Sequence, residues 1–252
     1  MITKRYHFDV LDSTNKKAKE LAEKGCEHGT LVTADMQAAG VGRRGRSWSS
    51  EKGTGIYMSM VLRPQMETEQ VSMLTLVAAL AVAKALEKLG VYEKQEPCIK
   101  WPNDLVLHKK KICGILTELA LVGTKIDYVI VGIGINVSNQ QFPEEIKETA
   151  SSILLETGKN VDREELLVEI WNCFKDDYET FLEIQDFSLL KEAYEAYLVN
   201  KYQSVMVLDS AGNYEGTAMG ITKKGELIVD TENGQKLVSS GEVSVRGIYG
   251  YV

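Results

Sequence analysis

Charged side chains beside a short turn are the clearest sign of chemistry in this sequence. The segment Lys100-Trp101-Pro102-Asn103-Asp104 places a carboxylate after a Pro-Asn turn, and Lys109-Lys110-Lys111 leads into the apolar run Ile112–Leu116. A lysine held where a strand begins can stabilise charge that develops on a phosphoryl or acyl group. Asp104 can act as a base or as a ligand for nucleotide-bound magnesium. Lysines also blunt exposed hairpin turns, so a purely structural use of the triplet stays open.

A second basic segment reads Gly40-Val41-Gly42-Arg43-Arg44-Gly45-Arg46. Its glycines match the dinucleotide fingerprint, but that fingerprint needs a helix directly after it, and here an alternating strand follows. The glycines would let backbone N–H groups approach a ligand, and the arginines would supply planar donors for phosphate or carboxylate. A solvated loop is the alternative. Two basic clusters in a chain of net charge −7 favour a site for a small polyanion such as a nucleotide.

Composition narrows the class of protein. The 252 residues, 44% of them hydrophobic, can bury one substantial core and leave room for a small second domain. The acidic balance argues against general affinity for nucleic acid. The N-terminus has no secretory signal, and the longest apolar stretch, Leu74–Ala83, is half of a bilayer span. Scattered cysteines and well-separated histidines predict a reduced, cytoplasmic protein without a structural metal.

Hydrophobic periodicity and capping signals predict alternating strands and helices up to residue 198. Strands are predicted at 5–11, 29–36, 55–62 (half-buried, because it alternates), 97–100, 104–107, 112–120 and 127–136. Helices are predicted from Ser13 or Thr14 to Gly25 and at 70–89, 163–181 and 187–198. From Lys201 onward, short β-rich runs at 204–208, 214–221, 227–230, 235–239 and 242–245 indicate a small closed or nearly closed β-barrel.

Taken together, these segments resemble the biotin–protein ligases, which biotinylate the carrier domains of carboxylases. Six segments carry the resemblance in the family's order: Asp12–Asn15, Ala34–Trp48, Lys100–Asp104, Lys111–Leu116, Val131–Val137 and Gly241–Arg246. The resemblance implies an α+β fold with a mixed, mostly antiparallel sheet and helices packed on one face, as in class II synthetases. It also implies a catalytic domain at 1–198 and a small SH3-like β-barrel at 199–252.

The activity that the resemblance implies has two steps. ATP, carried with Mg²⁺, activates the biotin carboxylate as biotinyl-5′-adenylate, and a lysine of a biotin carboxyl carrier domain then attacks that anhydride. The nearest rival is a lipoate–protein ligase, which shares the fold and the adenylate chemistry. The glycine–arginine segment and the C-terminal β-domain favour biotin. A non-catalytic anion-binding module is the alternative from another class.

The resemblance also assigns site residues. The implied biotin contacts are Ser13, Thr14, Asn15, Gln37, Val41, Gly42, Arg43, Lys111 and Gly114. The implied ATP or adenylate contacts are Gly40, Arg43, Arg44, Arg46, Trp48, Asn103, Lys111, Asn136 and Arg246. Lys111 and Arg43 would stabilise charge on the carboxylate and phosphate, and Asp104 would orient or deprotonate the incoming amine. Ser13, Thr14 and Gln37 would pair with the ureido head, a polar match that gives sharp selectivity.

One departure from the family's pattern matters, and the N-terminus is equally informative. Val41 stands where the family's Gly-Arg-Gly-Arg loop has its first arginine, so the adenylate should be held less tightly if that side chain orders the loop. Some members carry a helix-turn-helix domain before the Ser-Thr-Asn segment, but here twelve residues precede Ser13. We therefore expect the short, non-repressing type, with no DNA or membrane partner. A homodimer is a further expectation, because family members often dimerise through sheet edges.

Overall fold

A seven-stranded sheet forms the centre of this computed structural model, which describes residues 3–93, 96, 98–209, 212–241, 244–247 and 251–252. Its order is β1-β2-β5-β9-β8-β7-β6, and only the β1–β2 pair is parallel. The strands up to β9, including the separate β3–β4 pair, are β1 (Lys4–Leu11), β2 (Thr30–Gln37), β3 (Gly40–Val41), β4 (Ser47–Trp48), β5 (Gly55–Leu62), β6 (Ile99–Lys100), β7 (Asp104–Leu107), β8 (Lys110–Val122) and β9 (Lys125–Asn136). The predicted mixed, mostly antiparallel sheet is confirmed.

Within the described residues, five helices accompany the sheet: α1 (Thr14–Glu23), α2 (Met73–Lys88), α3 (Ile153–Thr157), α4 (Arg163–Ile184) and α5 (Lys191–Tyr197). The start of α4 is the predicted one, because the Asp162 carboxylate accepts the backbone N–H of Glu165. The α3 turn was not predicted. Helix α2 starts later than expected because a 3₁₀ turn occupies Thr68–Gln70, and α5 is shorter than predicted.

Strand β5 is buried along its whole length, so the prediction of a half-buried strand was wrong. Met58 and Met60 belong to the large core that includes α2, whereas Val61 packs with Ala18 and Ala22 of α1. Because neighbouring residues of a strand point to opposite faces, α1 and α2 cover opposite faces of the sheet. The expectation of helices on one face is corrected accordingly.

Helix α2 is the central helix that the sequence predicts. The segment Thr68–Lys88 is long and apolar enough to cross a membrane by length and composition, and 72% of its most apolar window is buried inside the protein. It is covered by the sheet and by α4, to which Lys84 is tied by an ion pair of 2.5 Å with Asp177. Its apolar composition is therefore the composition of a core helix.

The C-terminal part forms a second, antiparallel sheet in the order β13-β12-β11-β10-β14. Its strands are β10 (Ser204–Leu208), β11 (Tyr214–Ile221), β12 (Leu227–Thr231), β13 (Gly234–Val238) and β14 (Ser244–Gly247). This confirms the predicted small β-domain. The predicted strand positions 97, 242 and 243, and position 211 of a predicted turn, lie outside the described residues.

The second sheet is attached to the first beside the Lys100–Asp104 turn. The indole N–H of Trp101 donates to the Gly225 carbonyl at 3.0 Å, and the backbone N–H of Trp101 donates to Asn200 Oδ1 at 2.9 Å. The Trp101–Pro102 peptide is cis. These contacts fix the turn relative to the C-terminal sheet, so the small domain helps to position Asp104.

Candidate active site

Two adjoining cavities lie over the middle of the large sheet. The first has a volume of about 50 Å³ and is lined by α1, β2 and the centres of β8 and β9. The second, of about 220 Å³, is lined by the Lys100–Asp104 turn, the segment 142–150 and β14. They share Gly42, Arg43, Trp48, Asn103 and Lys111. One ligand with two chemically different ends can therefore occupy both.

The first cavity is built on a network of neutral polar groups. The backbone N–H and hydroxyl of Thr14 donate to Gln37 Oε1 at 2.8 and 3.1 Å, and the Gln37 amide donates to Ser50 Oγ at 3.0 Å. The Ser59 hydroxyl lies 2.8 Å from Thr14 Oγ1 and 2.6 Å from Asn15 Oδ1. Buried groups arranged in this way suit a neutral ligand group that has both donors and acceptors.

Glycines on β8 and β9 make room for side chains that line the cavity. Gly114 and Gly134 pair with each other, and the Trp48 indole lies against both. A Cβ at Gly134 would lie 2.7 Å from the Trp48 ring, and one at Gly132 would lie 2.0 Å from Asn15 Oδ1. The Trp48 indole N–H is buried and has no hydrogen-bond partner within the described part of the chain. Since Trp48 lines both cavities, this N–H can donate to a ligand.

A charged cluster lies in the second cavity. Lys111 Nζ is 2.6 Å from Asp104 Oδ1, the Tyr251 hydroxyl donates to Asp104 Oδ2, and Lys100 Nζ is 3.6 Å from the Tyr251 ring centroid. Burial alone would raise the pKa of Asp104, but the charges of Lys111 and Lys100 and the hydrogen bonds from Lys111 and Tyr251 lower it on balance. Burial lowers the pKa of Lys100 to about 8.

The lysine triplet serves both of the roles that the sequence left open. Leu107 pairs with Lys110, so His108 and Lys109, both with positive φ, form a two-residue hairpin loop. Lys109 is exposed in this loop. Lys111 is the second residue of β8 and lines both cavities. The triplet therefore contains both a turn lysine and a site lysine.

The glycine–arginine segment is tied to both sheets through Arg43. Its guanidinium donates to Asn103 Oδ1 at 2.9 Å, to the Gly241 carbonyl at 2.9 Å, and to the Ser240 carbonyl. Burial lowers the pKa of Arg43, yet a guanidinium keeps its proton in proteins. The segment therefore brings a fixed positive charge to the junction of the cavities.

The structure brings together nearly all the residues that the resemblance assigned. The nine assigned biotin contacts line the first cavity, and all but one of the assigned ATP contacts line the second. The exception is Gly40, which lines neither cavity. A Cβ there would lie 2.6 Å from the Trp48 carbonyl oxygen, so Gly40 serves the close approach of β3 to β4.

Sequence reasoning missed four residues of this region. Lys100 stands in the Lys100–Asp104 segment but was given no role. Ser59 is fully buried in a central strand, where a hydroxyl needs a partner, and that could have been noticed. Ser50 and Tyr251 had no visible signal, because their places depend on how distant segments meet.

Metal ligands are sparse around the second cavity. Among its lining residues in the described chain, Asp104 is the one carboxylate; its Oδ2 accepts the Tyr251 hydroxyl, and its Oδ1 forms an ion pair with Lys111. A magnesium ion would therefore be carried mainly by nucleotide phosphates and water. Elsewhere, pairing of β1 with β2 brings the ligand atoms of His7, Asp9 and Asp35 within 4.8 Å of one another. Asp35 also lies 3.6 Å from Arg163 there.

Comparison with known proteins gives consistent matches. Residues 7–136 match the model of the Biotin/lipoate A/B protein ligase family, and residues 203–246 match the Biotin protein ligase C terminal domain. The Bifunctional ligase/repressor BirA of Bacillus subtilis is 38% identical over 95% of this chain and 73% of its own length. The Biotin--[acetyl-CoA-carboxylase] ligase of Paracoccus denitrificans is 33% identical over 94% of this chain and 98% of its own.

A solved structure agrees with these matches. The biotin protein ligase from Aquifex aeolicus, in complex with biotin and ATP, superposes with a TM-score of 0.84 at 34% sequence identity. The alignment covers 97% of this chain and 99% of that one. The similarity therefore extends over both sheets.

Proposed function

The chain belongs to the Biotin/lipoate A/B protein ligase family, and from that premise we propose how its residues carry out biotin–protein ligation. Its function is that of an ATP-dependent biotin–protein ligase, with ATP and biotin as substrates. The match of residues 203–246 to a domain named for biotin protein ligases favours biotin over lipoate. The family acts on biotin carboxyl carrier proteins, and such a carrier is the acceptor.

The first step makes a mixed anhydride. A biotin carboxylate oxygen attacks the α-phosphorus of ATP, and the bond to the bridging oxygen of pyrophosphate breaks with its electron pair. Biotinyl-5′-adenylate and pyrophosphate result. The enzyme's main contribution is to neutralise charge on the carboxylate and the phosphate as they approach.

We assign the first cavity to biotin. Its neutral network around Thr14 and Gln37 offers donors and acceptors that match a ureido ring. The Trp48 ring and the apolar side chains of Ile115 and Ile133 suit the rest of the biotin molecule. A site that pairs buried polar groups discriminates strongly against analogues that lack them.

We assign the charged junction to the reacting atoms. Lys111 lines both cavities, so its ammonium can contact the biotin carboxylate and the α-phosphate at once. Arg43 supplies a second fixed charge there, and Lys100, Arg46 and Arg246 line the nucleotide side. A magnesium ion carried with ATP would supply further charge neutralisation to the phosphates.

The second step transfers biotin to a lysine. The neutral amine attacks the anhydride carbonyl carbon, a C–N bond forms, the C–O bond to AMP breaks with its electron pair, and the amine nitrogen releases its proton to water. The lowered pKa of Asp104 makes it a weak base. We therefore assign Asp104 to orienting the incoming amine by accepting its N–H, rather than to removing its proton.

The single observation that carries these assignments is the position of Lys111 at the junction of a neutral polar cavity and a positively charged one. That arrangement suits a carboxylic acid with a neutral head on one side and a nucleotide on the other. A non-catalytic protein that only binds an anion has no need for the first cavity.

The test is ATP–pyrophosphate exchange by the purified protein with biotin, with lipoate, or with no acid. Exchange that requires biotin supports the assignment. Exchange with lipoate alone would retain the chemistry and reject the substrate. No exchange with either acid would reject adenylation.

Other expectations remain proposals. We propose a catalytic domain at 1–198 and a small domain at 199–252, a cytoplasmic location, and a homodimer. We also propose that the chain does not bind DNA, although the similar Bacillus subtilis protein is a ligase and a repressor. Sedimentation and an operator-binding assay test the last two.

A further inference from the structure

Tyr251 is the one member of the charged cluster that neither the sequence motifs nor the proposed mechanism uses. It lies after β14, lines the second cavity, and places its hydroxyl on Asp104 and its ring on Lys100. One side chain therefore contacts an anion through its hydroxyl and a cation through its ring face.

The hydroxyl has a directional effect on Asp104. It donates to Oδ2, while Lys111 Nζ lies 2.6 Å from Oδ1. With one oxygen fixed by Tyr251, the carboxylate plane cannot rotate freely, and the other oxygen stays directed toward Lys111. Hydrogen bonds to an ionised carboxylate are stronger than neutral ones, so this orientation is well defined.

The ring acts on Lys100. Lys100 is 5% exposed, and its Nζ lies 3.6 Å from the ring centroid. An aromatic face attracts a cation, and the attraction is stronger where water is excluded. The ring thus stabilises the ammonium form of a lysine that burial disfavours.

We propose that Tyr251 is a positioning residue of the ligase, which orients Asp104 toward Lys111 and keeps Lys100 charged on the nucleotide side of the site. This inference rests on the proposed function. It adds a contribution of the chain beyond β14 to adenylation.

Two variants separate the two contacts. Tyr251→Phe keeps the ring on Lys100 and removes the hydroxyl from Asp104, without emptying the space. Tyr251→Leu removes both contacts. The matched control is Tyr202→Phe, which removes the hydroxyl of a tyrosine that is 65% exposed and also neighbours a lysine, Lys201.

For Tyr251→Phe we expect turnover in biotin-dependent exchange to fall about tenfold, because Asp104 is then no longer held toward Lys111, which contacts the reacting carboxylate and phosphate, and a hydrogen bond to a charged group is lost. The KM for biotin should change little. Loss of the donor raises the pKa of Asp104, so the acid limb of the pH profile should move to higher pH. For Tyr251→Leu the pKa of Lys100 should fall further, and the alkaline limb should move to lower pH.

Other charges face these groups and must be considered in reading the profiles. Asp104 is faced by Lys111, Lys100 and Arg43, and Lys100 is faced by Asp104, Lys111, Arg46 and Arg246. None of them is altered in the variants. A shift of either limb relative to the wild type therefore reports on Tyr251 itself.

Wild-type turnover and an unmoved acid limb in Tyr251→Phe would overturn the proposal. So would a variant with a lower melting temperature and uniformly lower activity but unmoved limbs, because that pattern indicates a structural role alone. Tyr202→Phe should match the wild type in turnover, in the limbs of the pH profile and in melting temperature.

A measurement without turnover separates this proposal from the proposed function. If the wild type shows no biotin-dependent exchange, the proposed function fails. The contact with Lys100 is then tested by acetylating the unliganded protein with dilute acetic anhydride and following Lys100 by mass spectrometry. Modification should be several-fold faster in Tyr251→Leu than in the wild type or Tyr202→Phe, and equal rates would overturn the contact.

Discussion

The two cavities are built in different ways. The first rests on the central strands and the first turn of α1, and apart from Arg43 and Lys111, which it shares with the second, its polar groups are neutral and bonded mainly to one another. The second is formed by turns, the segment 142–150 and the C-terminal strand, and it is lined by lysines and arginines around one carboxylate. Regular elements hold groups precisely, which suits selective binding, whereas loops bring charges from several parts of the chain. In the proposed assignment, specificity and activation therefore occupy different kinds of structure.

Lys111→Ala should have the largest effect, since it removes the charge that serves both cavities. We expect exchange turnover to fall by about 10²–10³-fold, the range found when one transition-state donor is lost. Lys110→Ala is the matched control, because Lys110 pairs with Leu107 beside the hairpin loop. Equal activities of the two variants would show that the charge of Lys111 has no special part in adenylation.

Gly134→Ala should damage the first cavity selectively. The added Cβ would lie 2.7 Å from the Trp48 ring, and overpacking of this kind costs about 1–3 kcal/mol. We expect the KM for biotin to rise about 10- to 100-fold, with a smaller change for ATP. A smaller ring should relieve the clash, so adding Trp48→Phe to Gly134→Ala should partly restore the KM for biotin. A larger effect on ATP than on biotin would contradict the division of labour between the cavities.

The same contrast explains what could be predicted from the sequence. The first cavity comes from short segments on paired strands, so the residues that resemblance assigned to biotin all fall in it. Much of the second cavity depends on where segments without motifs meet. Phe142, Ile146 and Tyr251 line it, but no spacing in the sequence relates them to Lys111.

Errors in the predicted elements have similar causes. Strand β5 alternates in the way of a half-buried strand, yet helices on both faces of the sheet bury it completely. Periodicity reports which residues share a face, and it does not report whether a second layer covers the other face. Helix α3 was missed although Ser152 caps it and Gly158, with φ 69°, ends it. Those signals were present in the sequence.

Lys100→Arg should change the pH dependence of biotin-dependent exchange. Burial lowers the pKa of Lys100 to about 8, so its ammonium loses its proton as the pH rises through that value. Wild-type exchange should therefore decline several-fold between pH 7 and about pH 9. Arginine stays charged in this range, so the variant should keep its activity there. The control is Lys201→Arg, because Lys201 lies outside the cavities and pairs with Glu195 at 2.7 Å. An alkaline limb unmoved by Lys100→Arg would assign that limb to another group.

Val41→Arg should have the smallest effect and tests the boundary between the cavities. Val41 is 41% exposed and lines the first cavity, two residues before Arg43 in the sequence. An arginine there restores the family's usual loop and adds a guanidinium beside the adenylate phosphate. Partly exposed charge pairs contribute about 0.2–1 kcal/mol, so release of biotinyl-adenylate should slow by about 1.4- to fivefold. The measurement is a chase of labelled adenylate from the preformed complex, with Val41→Leu as the control for side-chain size. An unchanged release rate would mean that this position acts through its backbone, and that the arginines after Gly42 suffice to order the loop.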